Sequence, residues 1–249
     1  MSNNVEEISS LKDEQKTWTR IQRRFNKGVV EYGLITDGDR ILVGLSGGKD
    51  SIVLLRLLAE RSRIWKPRFE VRAVHITMEN MPYCSDLEYL REYAQSLGVP
   101  FHVITTSFDA DREPEKSRCF ICSWTRRKAM FSLAKELKCN KIALGHHMDD
   151  IIETMLMNIT FEGNFTTMRP LLKMDKFDMT IVRPLCLVHE ADIKAYALQT
   201  GVKQQIKVCP FDAKTNRTSM KGMLQQLEAI NPEARYSIWH SMTEILRKR

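Results

Sequence analysis

The chain has 249 residues, 43% of them hydrophobic and 28% charged, which suits one sizeable globular domain with short attachments. No apolar run approaches the length of a membrane span, and the opening MSNNVEEISS lacks the basic-then-apolar layout of a signal peptide. The expectation is a cytoplasmic protein with no membrane partner.

The net charge is +7, and residues 16–72 hold 13 Lys and Arg against 6 Asp and Glu. That excess is compatible with a polyanion partner and equally with a solvated basic face. Residues 18–34 place Trp18, Ile21, Phe25 and Val29 at helical spacing, so an amphipathic helix precedes the core. Strand-like and helix-like runs then alternate. RILVGL (40–45) is followed by SIVLLRLLAERSR, FEVRAVHI (69–76) by SDLEYLREYAQSLG, FHVITT (101–106) by a helix over roughly 120–138, and KIALG (141–145) by DDIIETMLMNIT. This rhythm predicts an α/β fold, a parallel sheet with helices on both faces, with ligands at the carboxyl ends of the strands. Beyond residue 161 the pattern loosens into loop and a short extended piece. IVRPL and EADIKAYALQTG resume it, and from about 215 two helices are expected on either side of Asn231-Pro232. The resulting division is a helical extension over 1–36, a catalytic unit over 37–212 and a helical segment over 213–249.

SGGKDS (46–51) stands between a strand and a helix, so its amides and the helix N-terminus face one anion. A Walker A loop would need Gly where Val43 stands and Ser or Thr where Asp50 stands, and G-x-G-x-x-G is absent. What fits is the pyrophosphate loop of enzymes that split ATP into AMP and pyrophosphate. Ser46, Gly47, Gly48 and Ser51 can wrap phosphates and Lys49 adds positive charge. Asp50 would repel phosphate directly, so its role is to hold Mg²⁺ beside it.

GHHMDD (145–150) brings a second strand-to-helix junction to the same edge, adding Gly145 and His146 to the ATP-binding set. Asp149 and Asp150 are candidates for a metal ligand or a base, although at least one of them is expected to cap the helix. His146 and His147 are adjacent, a poor geometry for sharing one ion.

Six cysteines occur, at 84, 119, 122, 139, 186 and 209. In a cytosolic protein they do not suggest a disulfide frame. Cys119-Phe-Ile-Cys122 opens a helix with both sulfurs on one face, where Arg118, Arg126, Arg127 and the helix N-terminus favour thiolate. Alone, the pair fits zinc, iron–sulfur, redox use or chance. Cys209, in KVCPF, could add a third sulfur, and three thiolates suit a cluster with one open iron or a zinc completed by His or water. Cys84, Cys139 and Cys186 lack a spacing partner and are expected in the core or on the surface.

Taken together, LSGGKDS, CFICSWTRRK, LGHHMDDIIETMLMN and RPL followed by Glu190 and Asp192-Ile193 resemble the tRNA 2-thiocytidine biosynthesis family of the PP-loop ATPase superfamily. The likeness runs from about residue 20 to near the end. It implies an adenine nucleotide alpha hydrolase-like PP-loop fold and an ATP-dependent sulfurtransferase acting on C2 of cytidine 32 in the tRNA anticodon loop. It also implies a 4Fe–4S cluster on Cys119, Cys122 and Cys209, with ATP on Ser46 to Ser51 and Mg²⁺ on Asp50. Lys49, Asp50, Asp149 and Asp150 are then the catalytic set. A cysteine desulfurase would be the ultimate sulfur source, and a homodimer is the family expectation. Arg20, Arg23 and Arg24 of the first helix, with Arg126 and Arg127, are the candidates for tRNA contact. Two positions depart from the family pattern: Met148 stands where members often carry Arg, and Asp212 where a further Cys is common. Three rivals share part of the pattern: a uridine-thiolating sister group with terminal zinc-binding cysteine pairs, a lysidine-type ligase without the cysteine triad, and a non-catalytic nucleotide sensor.

Overall fold

The computed structural model describes residues 2–80, 85–107, 115, 118–174, 178–203 and 216–247. Helix α1 (Ser2–Glu31) leads into β1 (Arg40–Gly44), α2 (Lys49–Ser62), β2 (Glu70–Met78), α3 (Leu87–Ser96) and β3 (Phe101–Thr106). Then follow α4 (Arg118–Glu136), β4 (Lys141–Ala143), α5 (Met148–Glu162), β5 (Leu171–Lys173), β6 (Thr180–Val182) and α6 (Glu190–Gln199), and finally α7 (Asn216–Ile230), α8 (Ala234–Ser241) and α9 (Thr243–Arg247). The strands form one sheet in the order β3-β2-β1-β4-β6-β5.

Every pairing is parallel except β5 with β6, which is antiparallel. The sheet is therefore parallel as expected, save for its last strand. The reason is the short connection: six positions separate Lys173 from Thr180, too few for the helical crossover that a parallel neighbour needs. A third short helix, α9, also follows the two expected at the end of the chain.

The strands at the centre are apolar on both sides because both sides are covered. In β1, Ile41 and Val43 face one hydrophobic cluster while Leu42 faces the other. The larger cluster takes its helical contributions from α1, α2, α3, α5, α6 and the C-terminal helices. Among the described residues, α4 is the helix that covers the opposite face, through Leu133, Ala134 and Met130. The spacing read in α1 is used as expected: Trp18, Ile21, Phe25 and Val29 are all buried against the larger cluster. Each such large side chain contributes about 1.5–3 kcal/mol on burial. Cys139 and Cys186 are buried core thiols, with burial pushing both thiol pKa values up, while Cys84 and Cys209 lie outside the described residues. No helix among the described residues is long and apolar enough to cross a membrane.

One buried ion pair ties the N-terminal end of the sheet together. Lys141 of β4 donates to Asp39 at 2.7 Å, to the Leu34 carbonyl at 3.0 Å and to Thr36 at 3.4 Å. Asp39 is 2% exposed, so removing the ammonium leaves a carboxylate without its counter-charge in the interior. Lys141→Met is expected to destabilise the fold by about 3 kcal/mol. Urea denaturation at neutral pH checks this, with a lower midpoint at unchanged slope.

Candidate active site

A cavity of about 290 Å³ opens at the carboxyl ends of β1, β2 and β4. Its wall includes Ser46, Asp50 and Ser51 from the first loop, Gly145, His146 and Asp150 from the second, and Arg126 and Met130 from α4. A volume of that order is at the small end of ligand sites.

The first loop is pre-folded. Gly47 has φ +83°, a left-handed conformation that favours glycine. The Ser51 hydroxyl donates to the Gly48 carbonyl at 2.9 Å and accepts the Ser46 amide at 3.1 Å, locking the turn. Gly48 is the N-cap of α2 and offers no side-chain cap, so the first amides of that helix are left for a ligand. Lys49 Nζ rests 3.0 Å from Asp50 Oδ2 and 3.4 Å from Glu190 Oε1. The other Asp50 oxygen, Oδ1, is buried without a hydrogen-bond partner, with His147 Nε2 lying 3.9 Å away. A buried carboxylate oxygen left in this state fits a cation-binding role.

The two strand-to-helix turns lie against each other. A Cβ on Gly145 would come within 3.2 Å of the Asp50 carbonyl carbon and the Ser51 nitrogen, both backbone atoms. This close approach sets the second segment beside the first. There, His147 is the N-cap of α5: its Nδ1 accepts the Asp150 amide at 3.3 Å while the Asp150 carboxylate accepts the His147 amide at 3.1 Å. The capping carboxylate foreseen at this helix start is Asp150, which also faces the cavity. Asp149 turns the other way. Its carboxylate accepts from Arg235 of α8 and from the Glu190 amide at 2.9 Å, and it is absent from the cavity wall. Burial pushes its pKa up, but these hydrogen bonds and the Arg235 charge outweigh that and hold it below the usual carboxylate value.

Two residues of this neighbourhood were not foreseen as parts of the site. Glu190 begins α6 and gathers three ammonium groups: Lys49, Lys194 at 3.1 Å and Lys221 of α7. Its E-x-D setting at a helix start was visible in the sequence, but not which lysines would meet it. Arg235 lies 86 positions from Asp149, and no local signal joins them.

On α4, Cys119, Cys122, Arg126 and Met130 recur at helical spacing and so share one face. Arg126 and Met130 line the cavity, which places the thiols of Cys119 and Cys122 further along the same helix on that face. Arg127 and Arg23 are exposed. Arg20 and Arg24 are engaged within the molecule, both bound to Asp192 of α6, Arg20 through Nε at 3.0 Å.

The PP-loop domain model matches residues 17–220. A tRNA-cytidine(32) 2-sulfurtransferase from Pelobacter propionicus is 38% identical over 91% of this chain and 86% of its own length. Another of that name from Citrifermentans bemidjiense is 35% identical over 93% of this chain and 92% of its own. This chain belongs to that PP-loop family. The U34-tRNA thiolase NcsA from Methanococcus maripaludis, solved with its [4Fe-4S] cluster, superimposes with a TM-score of 0.78 over 95% of this chain and 80% of that one. At 22% identity it shows that the PP-loop fold is shared.

Within this PP-loop protein the Glu190 cluster has a pH signature. Burial pushes its pKa up, yet the hydrogen bonds from Lys221 and Lys194 and the charge of Lys49 dominate and bring it down to about 2 from an ordinary 4.5. A depressed carboxylate stabilises the fold above its unfolded pKa and loses that contribution as pH falls through the folded one. Acid unfolding of Glu190→Gln should accordingly show a shallower loss of stability between about pH 4.5 and 2 than wild type, measured by circular dichroism.

Proposed function

We propose that the protein is an ATP-dependent tRNA sulfurtransferase that replaces O2 of a cytidine, cytidine 32 of the anticodon loop, by sulfur. The observation that carries this reading is the α4 face, on which Cys119 and Cys122 share a stripe with the Arg126 and Met130 of the nucleotide cavity. A ligase or a sensor has no use for thiols in line with an ATP site. The names of the curated relatives point to the same substrate.

The chemistry has two parts. The base O2 attacks the α-phosphorus of ATP, the bond to the β-phosphate oxygen breaks, and pyrophosphate leaves. Sulfide then bonds to C2, the C2–O bond breaks, and AMP carries the oxygen away. Pyrophosphate is received by the uncapped amides of α2 and by Lys49, once that ammonium leaves Asp50 and Glu190. Arg126 places positive charge on the cavity wall, where it offsets charge gathering on the phosphates. Asp150 is the second carboxylate of the site, and Asp149 acts by position, holding α5 to α6 and α8.

The described donors, a carboxylate oxygen and two thiols, suit the implied metals by type. Asp50 would hold Mg²⁺ through its unpartnered oxygen, and Cys119 and Cys122 would hold a 4Fe–4S cluster together with Cys209. When bound, Mg²⁺ supplies neutralisation of phosphate charge and the cluster supplies the handling of sulfur. Residues 37–212 form the catalytic unit in this reading, a cysteine desulfurase is the ultimate sulfur source, and a cytoplasmic homodimer is the working state.

The two halves of the reaction are separable. Cys119→Ala, Cys122→Ala and Cys209→Ala are each expected to reduce tRNA thiolation at least about a hundredfold while ATP binding stays near wild type, since the triad lies outside the phosphate loop. Asp50→Ala should abolish AMP formation and keep the iron and sulfide content. The measurements are single-turnover thiolation and isothermal titration with ATP on protein prepared without oxygen. Full thiolation by Cys209→Ala would remove it from the triad.

A further inference from the structure

Helix α4 carries a second stripe that the reaction chemistry leaves unused. Phe120 and Trp124 are four residues apart, one helical turn, and Arg127 follows three residues later, so the three share a face. Both side chains are about half exposed: Phe120 is 49% exposed and Trp124 is 55% exposed. Large aromatic surface of this kind is not neutral on a protein exterior, and two rings together on one helix form a patch. The stripe is adjacent to the face that bears Cys119, Cys122 and Arg126. The surrounding charge is positive, for α4 holds Arg118, Arg126, Arg127, Lys128 and Lys135 against the single Glu136.

We propose that Trp124 and Phe120 are a stacking platform for unpaired bases of the substrate RNA, set beside the thiol-bearing face of α4 with Arg127 on the adjoining phosphate. This rests on the substrate reading given above. Three things select single-stranded RNA over other occupants. Exposed rings offer faces on which splayed bases stack without regard to sequence. The cations around them complement phosphates. The patch also adjoins the site: it lies on the same helix, about a third of a turn around from the cavity-lining Arg126 and Met130, on the side where loop neighbours of a base held along α4 would meet it. The two rings are specificity-determining residues for an unpaired loop and take no part in the adenylation itself.

The test uses the full-length protein prepared without oxygen and a fluorescein-labelled anticodon stem–loop RNA with cytidine at position 32, read by anisotropy. Trp124→Ala is expected to weaken binding of this RNA about tenfold, the scale of one lost base-on-ring stack, and Phe120→Ala to weaken it in the same direction. Trp124→Tyr, which keeps a ring, should restore most of the affinity, and ATP affinity should match wild type in all three. A fully paired hairpin should bind wild type and Trp124→Ala alike. Unchanged affinity for the loop RNA in both alanine variants would overturn the proposal. So would a fall in mass by light scattering with RNA affinity retained, which would make the stripe a contact between copies. If wild type binds ATP but not the RNA, the substrate reading itself fails, a result distinct from a platform that is merely misplaced.

Discussion

Two backbone turns must touch for this site to exist. The turn after β4 lies this close to the start of α2 where Gly145 has no side chain: a Cβ there would sit 3.2 Å from Asp50 and Ser51 backbone atoms and would push the two turns apart by a few tenths of an ångström. The parallel register brings both turns to the same edge, since Val43 of β1 is level with Ala73 of β2 and Ala143 of β4. From that contact follow the cavity, the approach of His147 to Asp50, and the setting of Asp150 on the cavity wall. Sheet order and one missing methyl group therefore do the positioning, and the reactive side chains inherit it.

A second constraint is electrostatic, and it reaches beyond the sheet. Glu190 ties the phosphate-loop Lys49 to Lys221 of α7, and Asp149 ties α5 to Arg235 of α8. Arg235 is itself held by Glu228 at 2.7 Å, so α7 and α8 are braced to each other as well as to the site. Pairs this well covered contribute geometry more than net stability, because desolvation offsets much of the attraction. Their effect is to tie the C-terminal helices to residues that neighbour the cavity wall. In the same way Asp192 converts Arg20 and Arg24 from surface charges into fasteners between α1 and α6.

Much of this was legible in the sequence, for physical reasons that can be named. The apolar run of β1 reads as a strand covered on both faces, and Trp18, Ile21, Phe25 and Val29 read as a buried helical stripe, because periodicity reports burial directly. SGGKDS is legible because a phosphate loop needs particular residues at adjacent positions. Short strands such as β5 carry too few residues for a pattern, so the antiparallel edge was not. Asp149 and Arg20 show the other limit: residue type and spacing suggest what a charged side chain could do, but its partner is chosen by tertiary contacts across 86 and 172 positions. Cys209, the third cysteine of the proposed triad, lies outside the described residues and is supported by sequence alone.

The account stands on one claim, that the ATP cavity and the thiols of α4 serve a single reaction on tRNA. The most direct measurement is mass spectrometry of nucleosides from bulk tRNA in a host strain with this gene deleted and then restored. The account predicts that 2-thiocytidine disappears on deletion and returns with the wild-type gene, and does not return with the Cys122→Ala gene. Unchanged 2-thiocytidine in the deletion strain, with loss of a thiouridine or of lysidine instead, would contradict it.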